Sequence, residues 1–249
     1  MVYMNRYTTF LKDVMQVGIE KVMTTRKFPK FALMFHQISD DYEHWYDQEY
    51  AISTRSFSYL VEVLEEKGIA FLSSKQFADM KKKSGVLLTF DDAFTGVYDH
   101  VYPVVERKHI PLTVFECVDF MGQEGYLSRE MIYELFSYDG FELGSHMVTH
   151  RKLSTLATED LMGEFQNSKM LLEQTFGKEV CSCAYPYGSM SAVTEKCIAC
   201  AKEAGYLRAF GTVATGYADN EENVWFLPRI NVNEKNYRII IQRIIDCGI

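Results

Sequence analysis

GVLLTFDD, residues 85–92, is the stretch on which the reading of the fold turns. An apolar run of strand length ends in two carboxylates, Asp91 and Asp92, which are costly to place at a strand end without partners. Strand-like runs of the same kind recur on both sides of it: 31–38, 69–72, 112–118, 141–143, 180–185, 207–213 and 226–232. Helical patterns fall between them at 54–67, 97–108, 158–176 and 192–204. Phe57, Leu60, Val61 and Leu64 share one face of the first helix, and Leu161, Phe165, Leu172 and Phe176 share one face of the third. Alternation of this kind predicts an α/β fold on a parallel sheet. The polar residues of interest fall at or just after the carboxyl ends of strands, which in a parallel barrel open on one face.

The bulk composition fits one such domain. The chain has 249 residues, 47% of them hydrophobic and 24% charged, with a formal net charge of -8. It can bury a large core without disulfide staples, and it has no basic stripe to neutralise phosphates, so nucleic acid is not an expected partner. The six cysteines include a lone CxxC at Cys197 and Cys200 and a CxC at Cys181 and Cys183, neither with a second ligand pair, and buried reduced thiols are expected. Residues 1–30 mix charges among apolar residues and resemble neither a signal peptide nor a membrane span. They read as an amino-terminal helical extension, with Leu11, Val14, Met15, Gly18 and Val22 on one face, packed on the domain or lying on a membrane surface. The expected arrangement is this extension followed by a single domain over 31–249, in the cytoplasm.

Four short segments carry chemistry. Neighbouring side chains on extended backbone point to opposite sides, so of Asp91 and Asp92 one can bind a metal while the other accepts a proton, or the pair caps the helix that follows. His146 and His150, in GSHMVTH at 144–150, lie on one face if the backbone there is helical, and neutral imidazole is a common metal ligand. In AYPYG, 184–188, Pro186 and Gly188 form a turn that can aim the Tyr187 N–H into a cleft, as an oxyanion hole requires. In LPRI, 227–230, Arg229 needs a partner if buried, and Asp91 would suit it.

Taken together, these segments resemble the polysaccharide deacetylase family (carbohydrate esterase family four, the NodB-homology domain). TFDD at 89–92, HMVTH at 146–150 and AYPYG at 184–188 look like its three motifs in order, and LPRI looks like an arginine-bearing stretch of one branch. The resemblance implies a distorted (β/α) barrel of about seven parallel strands. It also implies a divalent metal and hydrolysis of N-acetyl groups on an amino sugar or polysaccharide. By position, Asp92, His146 and His150 would be metal ligands and Asp91 the catalytic base, oriented by Arg229. The Tyr187 N–H would serve the oxyanion. Two departures stand out. Ala184 occupies a position where many members carry Arg, a charge that Arg229 could supply. No His follows His150, so the usual carboxy-terminal His motif is missing. The strand FALMFHQI resembles a branch that carries this His on its first strand, which would make His36, protonated, the general acid that serves the leaving amine.

Zinc suits two imidazoles and one carboxylate best, and Co2+, Ni2+, Mn2+ and Fe2+ accept the same donors. The same ligand types serve non-haem iron oxygenases, but those use a β-rich fold and not this alternation. The expected partner is an N-acetylated carbohydrate. Other readings are a lipid- or nucleotide-linked acetylated substrate, and a sugar-binding relative without activity.

Overall fold

The computed structural model describes residues 30–45, 47–79, 84–214 and 224–248. The expected helical extension over residues 1–30 therefore lies outside the described residues, apart from Lys30. That residue opens β1 (Lys30–Phe35), a strand buried along its whole length. After His36 the chain resumes as β2 (Gln37–Ile38), which pairs in parallel with β3 (Ala51–Ile52). The single expected strand over 31–38 is thus broken at His36.

The helix α1 (Thr54–Glu66) follows, started by the Ser53 side chain accepting from the Ser56 N–H. Next come β4 (Phe71–Leu72), α2 (Ser74–Ala78) and β5 (Gly85–Asp91). The helix expected over 97–108 is a π-helical turn at Val97–Val101 running into α3 (Tyr102–Lys108). Then come β6 (Leu112–Glu116), α4 (Arg129–Leu135), β7 (Phe141–Ser145), α5 (Thr158–Phe176), β8 (Ser182–Ala184), α6 (Glu195–Glu203), β9 (Arg208–Phe210), β10 (Ile230–Asn231) and α7 (Tyr237–Asp246).

The main sheet runs β10-β1-β5-β6-β7-β8-β9, with β4 paired to β5 off this path, and its ladders are parallel. The sheet curls, and a bridge between Phe210 and Leu227 links the β9 end to the segment that leads into β10. This is the expected barrel with seven strands on its path.

Alternation along each strand divides the core. Ala32, Leu72, Leu87, Phe115, Ala184, Phe210 and Leu227 pack with Phe77 inside the barrel. The intervening positions, among them Val86, Leu88, Phe90 and Val114, pack with residues of the outer helices. At the amino ends of β7–β9, Glu142 accepts from Ser74, Ser182 and Arg208, and α2 closes that end. The carboxyl ends are left as the face on which a site is built.

Candidate active site

Asp91 is the last residue of β5 and points into the barrel. It is 2% exposed, and its two oxygens accept from the two terminal nitrogens of Arg229: Nη1 to Oδ1 at 2.5 Å and Nη2 to Oδ2 at 2.8 Å. Arg229 is itself 0% exposed; its Nε donates to the Gly211 carbonyl, and its guanidinium lies over the Phe115 ring, 5.2 Å from the centroid. Burial alone would push the Asp91 carboxyl up. The charges of Arg229 and then His146 outweigh burial, and the carboxyl sits at about 2, ionised at any ordinary pH.

Asp92 departs from what extended chain dictates. Its φ is +63° and that of Ala93 is +56°, so the backbone turns left-handed and swings Asp92 to the same side as Asp91. One nitrogen, His146 Nε2, lies 3.9 Å from Asp91 Oδ2 and 3.6 Å from Asp92 Oδ1. The expectation that the two carboxylates face opposite sides fails for this reason, although the two sit in different electrostatic environments. Burial and then the Asp91 charge raise Asp92 to about 7, and its Oδ1 is buried without a hydrogen-bond partner.

His146 and His150 also meet by a loop and not by a helix. Left-handed residues at Met147 (φ +69°) and His150 (φ +56°) fold the segment so that the rings lie 5.0 Å apart. Glu164 of α5 holds this loop: its carboxylate accepts from the Val148 and Thr149 N–H groups at 2.9 and 3.1 Å, and from Thr149 Oγ1 and Arg151. The Nδ1 of His146 lies 2.8 Å from the Ala184 carbonyl, so Nδ1 carries the proton and donates to it, which leaves the Nε2 lone pair available to a metal ion. Burial lowers His146 to about 3 and also lowers His150, so both imidazoles are neutral at neutral pH.

Asp92, His146 and His150 each offer one ligand atom, all within 4.8 Å of one another; among the described residues this is the one such group of three able to hold a metal ion. The donor chemistry fits a divalent cation: two neutral imidazoles, one fixed in tautomer, and a carboxylate oxygen left orphaned. A cation there would satisfy that oxygen and relieve the repulsion between the two aspartates.

The remaining expected residues gather round this group. Tyr187 has φ +61° in a turn closed by Gly188 N–H to the Tyr185 carbonyl, and its ring lies 5.3 Å from that of His150. Gly188 is required: a Cβ there would come 2.5 Å from Thr212 Oγ1 and 2.9 Å from the Thr212 nitrogen. Asp92, Ala93, Met147, His150 and Tyr187 are five of the six non-glycine residues with positive φ among those described, so backbone strain is concentrated here. His36 is half-buried at the break after β1, its ring 4.7 Å from Tyr50. Burial lowers its pKa to about 4 against the pull of the Asp91 charge, which favours the neutral imidazole at rest.

Two carboxylates were missed by the sequence reading. One is Glu164, an ordinary helix residue in sequence. The other is Glu116, which ends β6 with 0% exposure and with neither carboxylate oxygen hydrogen-bonded. Burial, then the Asp92 charge, raises its pKa well above the usual carboxylate range. The signal for Glu116 was available in LTVFE, an apolar strand closed by an acid.

Comparison with known proteins bears on this geometry. The sequence model of the polysaccharide deacetylase family matches residues 78–209, just over half of the chain. YxkH of Bacillus subtilis (strain 168), which carries a polysaccharide deacetylase name, is 27% identical over 207 residues, covering 81% of this chain and 70% of that protein. The poly-β-1,6-N-acetyl-D-glucosamine N-deacetylase of Staphylococcus aureus (strain MSSA476) is 24% identical over 216 residues, 79% of this chain and 72% of that one. Among solved structures, the Streptococcus pyogenes deacetylase PplD in complex with acetate superposes with a TM-score of 0.75 at 20% identity, covering 86% of this chain and 97% of that one.

Proposed function

The chain belongs to the polysaccharide deacetylase family and is a hydrolase of non-peptide C–N bonds; from that premise we propose that it removes N-acetyl groups from an amino-sugar polymer, using a divalent metal held by Asp92, His146 and His150. The observation that carries this reading is the pairing of that three-donor cluster with a second, separately clamped carboxylate, Asp91, 3.9 Å from one of its nitrogens.

A bound cation would polarise the acetyl carbonyl and lower the pKa of a water molecule. The work of the protein groups follows from their positions. Asp91 accepts the proton of the attacking water, and its bidentate clamp by Arg229 fixes the orientation of its lone pairs. The Tyr187 N–H, left without a backbone partner among the described residues, donates to the developing oxyanion. His36 delivers a proton to the leaving amine. Burial favours its neutral imidazole, so the proton that it delivers is the one Asp91 takes from the attacking water. The products are acetate and a free amine on the sugar. A β-1,6-linked N-acetylglucosamine polymer is the first substrate to try, since a relative matched along 79% of this chain is named for it. Zinc is the first metal to try.

The test is acetate release from N-acetylglucosamine oligomers by protein stripped of metal and refilled with zinc or cobalt. Release that needs metal, and that Asp91→Asn abolishes without loss of bound metal, supports the reading. Metal loss in that variant contradicts the assignment of Asp91 as base, and release by metal-free protein contradicts the metal's role.

A further inference from the structure

The two histidines of the donor cluster are held in different ways. His146 is buried, and its Nδ1 donates to the Ala184 carbonyl at 2.8 Å, which fixes the ring. The side chain of His150 is 23% exposed, and among the described residues no other residue hydrogen-bonds its ring. The torsion that turns a histidine ring has a broad energy well. Without some other restraint, the His150 Nε2, 3.3 Å from Asp92 Oδ1, would swing away from the place where a shared cation must sit.

Two aromatic rings supply a restraint. Phe120 lies 5.6 Å from the His150 ring at an interplanar angle of 31°, and Tyr187 lies 5.3 Å from it at 54°. Both distances fall within the span over which aromatic pairs attract. Each ring is mounted on backbone that is itself fixed. The Val118 and Asp119 N–H groups donate to the Met147 and Val148 carbonyls at 3.1 and 2.9 Å, so the chain leading to Phe120 is zipped onto the loop that carries His150. The Phe120 N–H donates to the Cys117 carbonyl, and the Phe120 carbonyl accepts from the Gln123 N–H, both at 2.9 Å. The Phe120 ring packs in turn on Tyr126 at 4.8 Å, and Tyr126 stacks on Phe94 at 4.8 Å. The turn that carries Tyr187 is anchored by the Thr212 N–H, which donates to the Gly188 carbonyl at 2.7 Å.

We infer that Phe120 and Tyr187 are positioning residues for the metal: their rings hold the His150 imidazole in its ligating orientation, as the Ala184 carbonyl holds that of His146, and so set how long a bound cation stays. The inference rests on the assignment of Asp92, His146 and His150 as ligands and extends it to two side chains outside that set. His150, the more exposed imidazole, is the ligand that lets go first, and the two rings oppose its departure. Tyr187 serves twice, with its N–H toward the oxyanion and its ring toward a ligand, so metal loading and the shape of the oxyanion turn are linked through one residue.

The experiment measures cobalt affinity by chelator competition, and cobalt release by stopped flow, for the full chain and for Phe120→Leu, Phe120→Tyr and Tyr187→Leu. Leucine keeps apolar volume without a ring, and tyrosine keeps the ring. Each leucine variant is expected to bind cobalt about tenfold more weakly and to release it faster, with Phe120→Tyr close to the unsubstituted chain. The effect of Phe120→Leu should vanish in a His150→Ala background, which separates action through His150 from a general loosening of the fold. The Tyr187 side chain is 60% exposed, so Tyr187→Leu tests the idea even where Phe120→Leu does not fold. Unchanged affinity and release in either leucine variant, an equal loss in Phe120→Tyr, or the same loss in the absence of His150 overturns the inference. An unsubstituted chain that takes up no cobalt overturns the ligand assignment and the inference with it. Acetate release does not enter the measurement, so the deacetylase reading fails separately.

Discussion

Replacing Arg229 with methionine removes the only fixed cation that touches Asp91 among the described residues and leaves that carboxylate in the barrel interior. Both groups are buried, at 0% and 2% exposure, and the clamp is bidentate at 2.5 and 2.8 Å. Breaking a buried pair by deleting one partner costs about 3–5 kcal/mol, because a charge is left uncompensated. Methionine keeps apolar contact with Phe115 and Phe210, so the cavity contribution is small.

The pH dependence fixes the sign. In the unsubstituted chain Asp91 titrates at about 2 in the folded state against 3.8 when unfolded, which is about 2 kcal/mol of stability. That contribution is present in full above the unfolded value and is lost as pH falls through about 2. Without Arg229, burial dominates and the carboxyl rises above its unfolded value. The variant then recovers stability on acidification from pH 7 toward pH 4, a range over which this group adds no slope to the unsubstituted chain.

The assay is urea unfolding of chelator-treated protein at both pH values for the unsubstituted chain, Arg229→Met, Asp91→Asn and the double variant. A deficit of about 3–5 kcal/mol at pH 7 that narrows at pH 4, with the double variant more stable than Arg229→Met, is the expected result. A deficit below about 1 kcal/mol, or one that does not change with pH, refutes the reasoning.

Three further outcomes follow from single side chains. Glu116→Leu removes a buried carboxyl with no partner and should stabilise the protein by about 1–3 kcal/mol at neutral pH. The folded pKa of Glu116 is raised, so the native chain loses stability as pH climbs past 4.5, and thermal melts at pH 5 and pH 8 should show the gain growing with pH. Glu164→Ala leaves two N–H groups of the 148–149 loop without their acceptor, and metal affinity measured by chelator competition should fall about 10–100-fold; unchanged affinity would mean that the loop holds its shape alone. His36→Ala should lower turnover by about 10²–10⁴ with metal uptake intact, and near-normal turnover would remove His36 from proton delivery.

The elements set by local chemistry were legible in the sequence. The helix at 158–176 was read with the ends that the structure shows, because its apolar face is periodic and Gly177, at φ +63°, stops it. The strand read over 85–90, which the structure carries one residue further to Asp91, was recognised because its apolar run is unbroken, and the Asp91–Arg229 pairing because a buried arginine must be answered. The helix Tyr237–Asp246 was not marked, although Tyr237, Ile240, Ile241 and Ile244 recur at helical spacing. The helix Arg129–Leu135 is too short for its period to stand out. The site's geometry was hidden for a different reason. Left-handed backbone at Asp92, Met147 and His150 is imposed by tertiary packing on residues that carry no glycine-like signal, so the ligand spacing suggested a helix where the chain forms a loop. The resting charge of His36 depends on burial by residues distant in sequence, which no local pattern reports.

The most direct test of the account is anomalous diffraction at the zinc edge from a zinc-soaked crystal of this chain. The account predicts one strong peak bonded to Asp92, His146 Nε2 and His150 Nε2 at about 2.0–2.2 Å, with Asp91 still clamped by Arg229 and not coordinated. A peak held by Asp91 in place of Asp92, or no peak at this cluster when zinc is bound elsewhere, would contradict it.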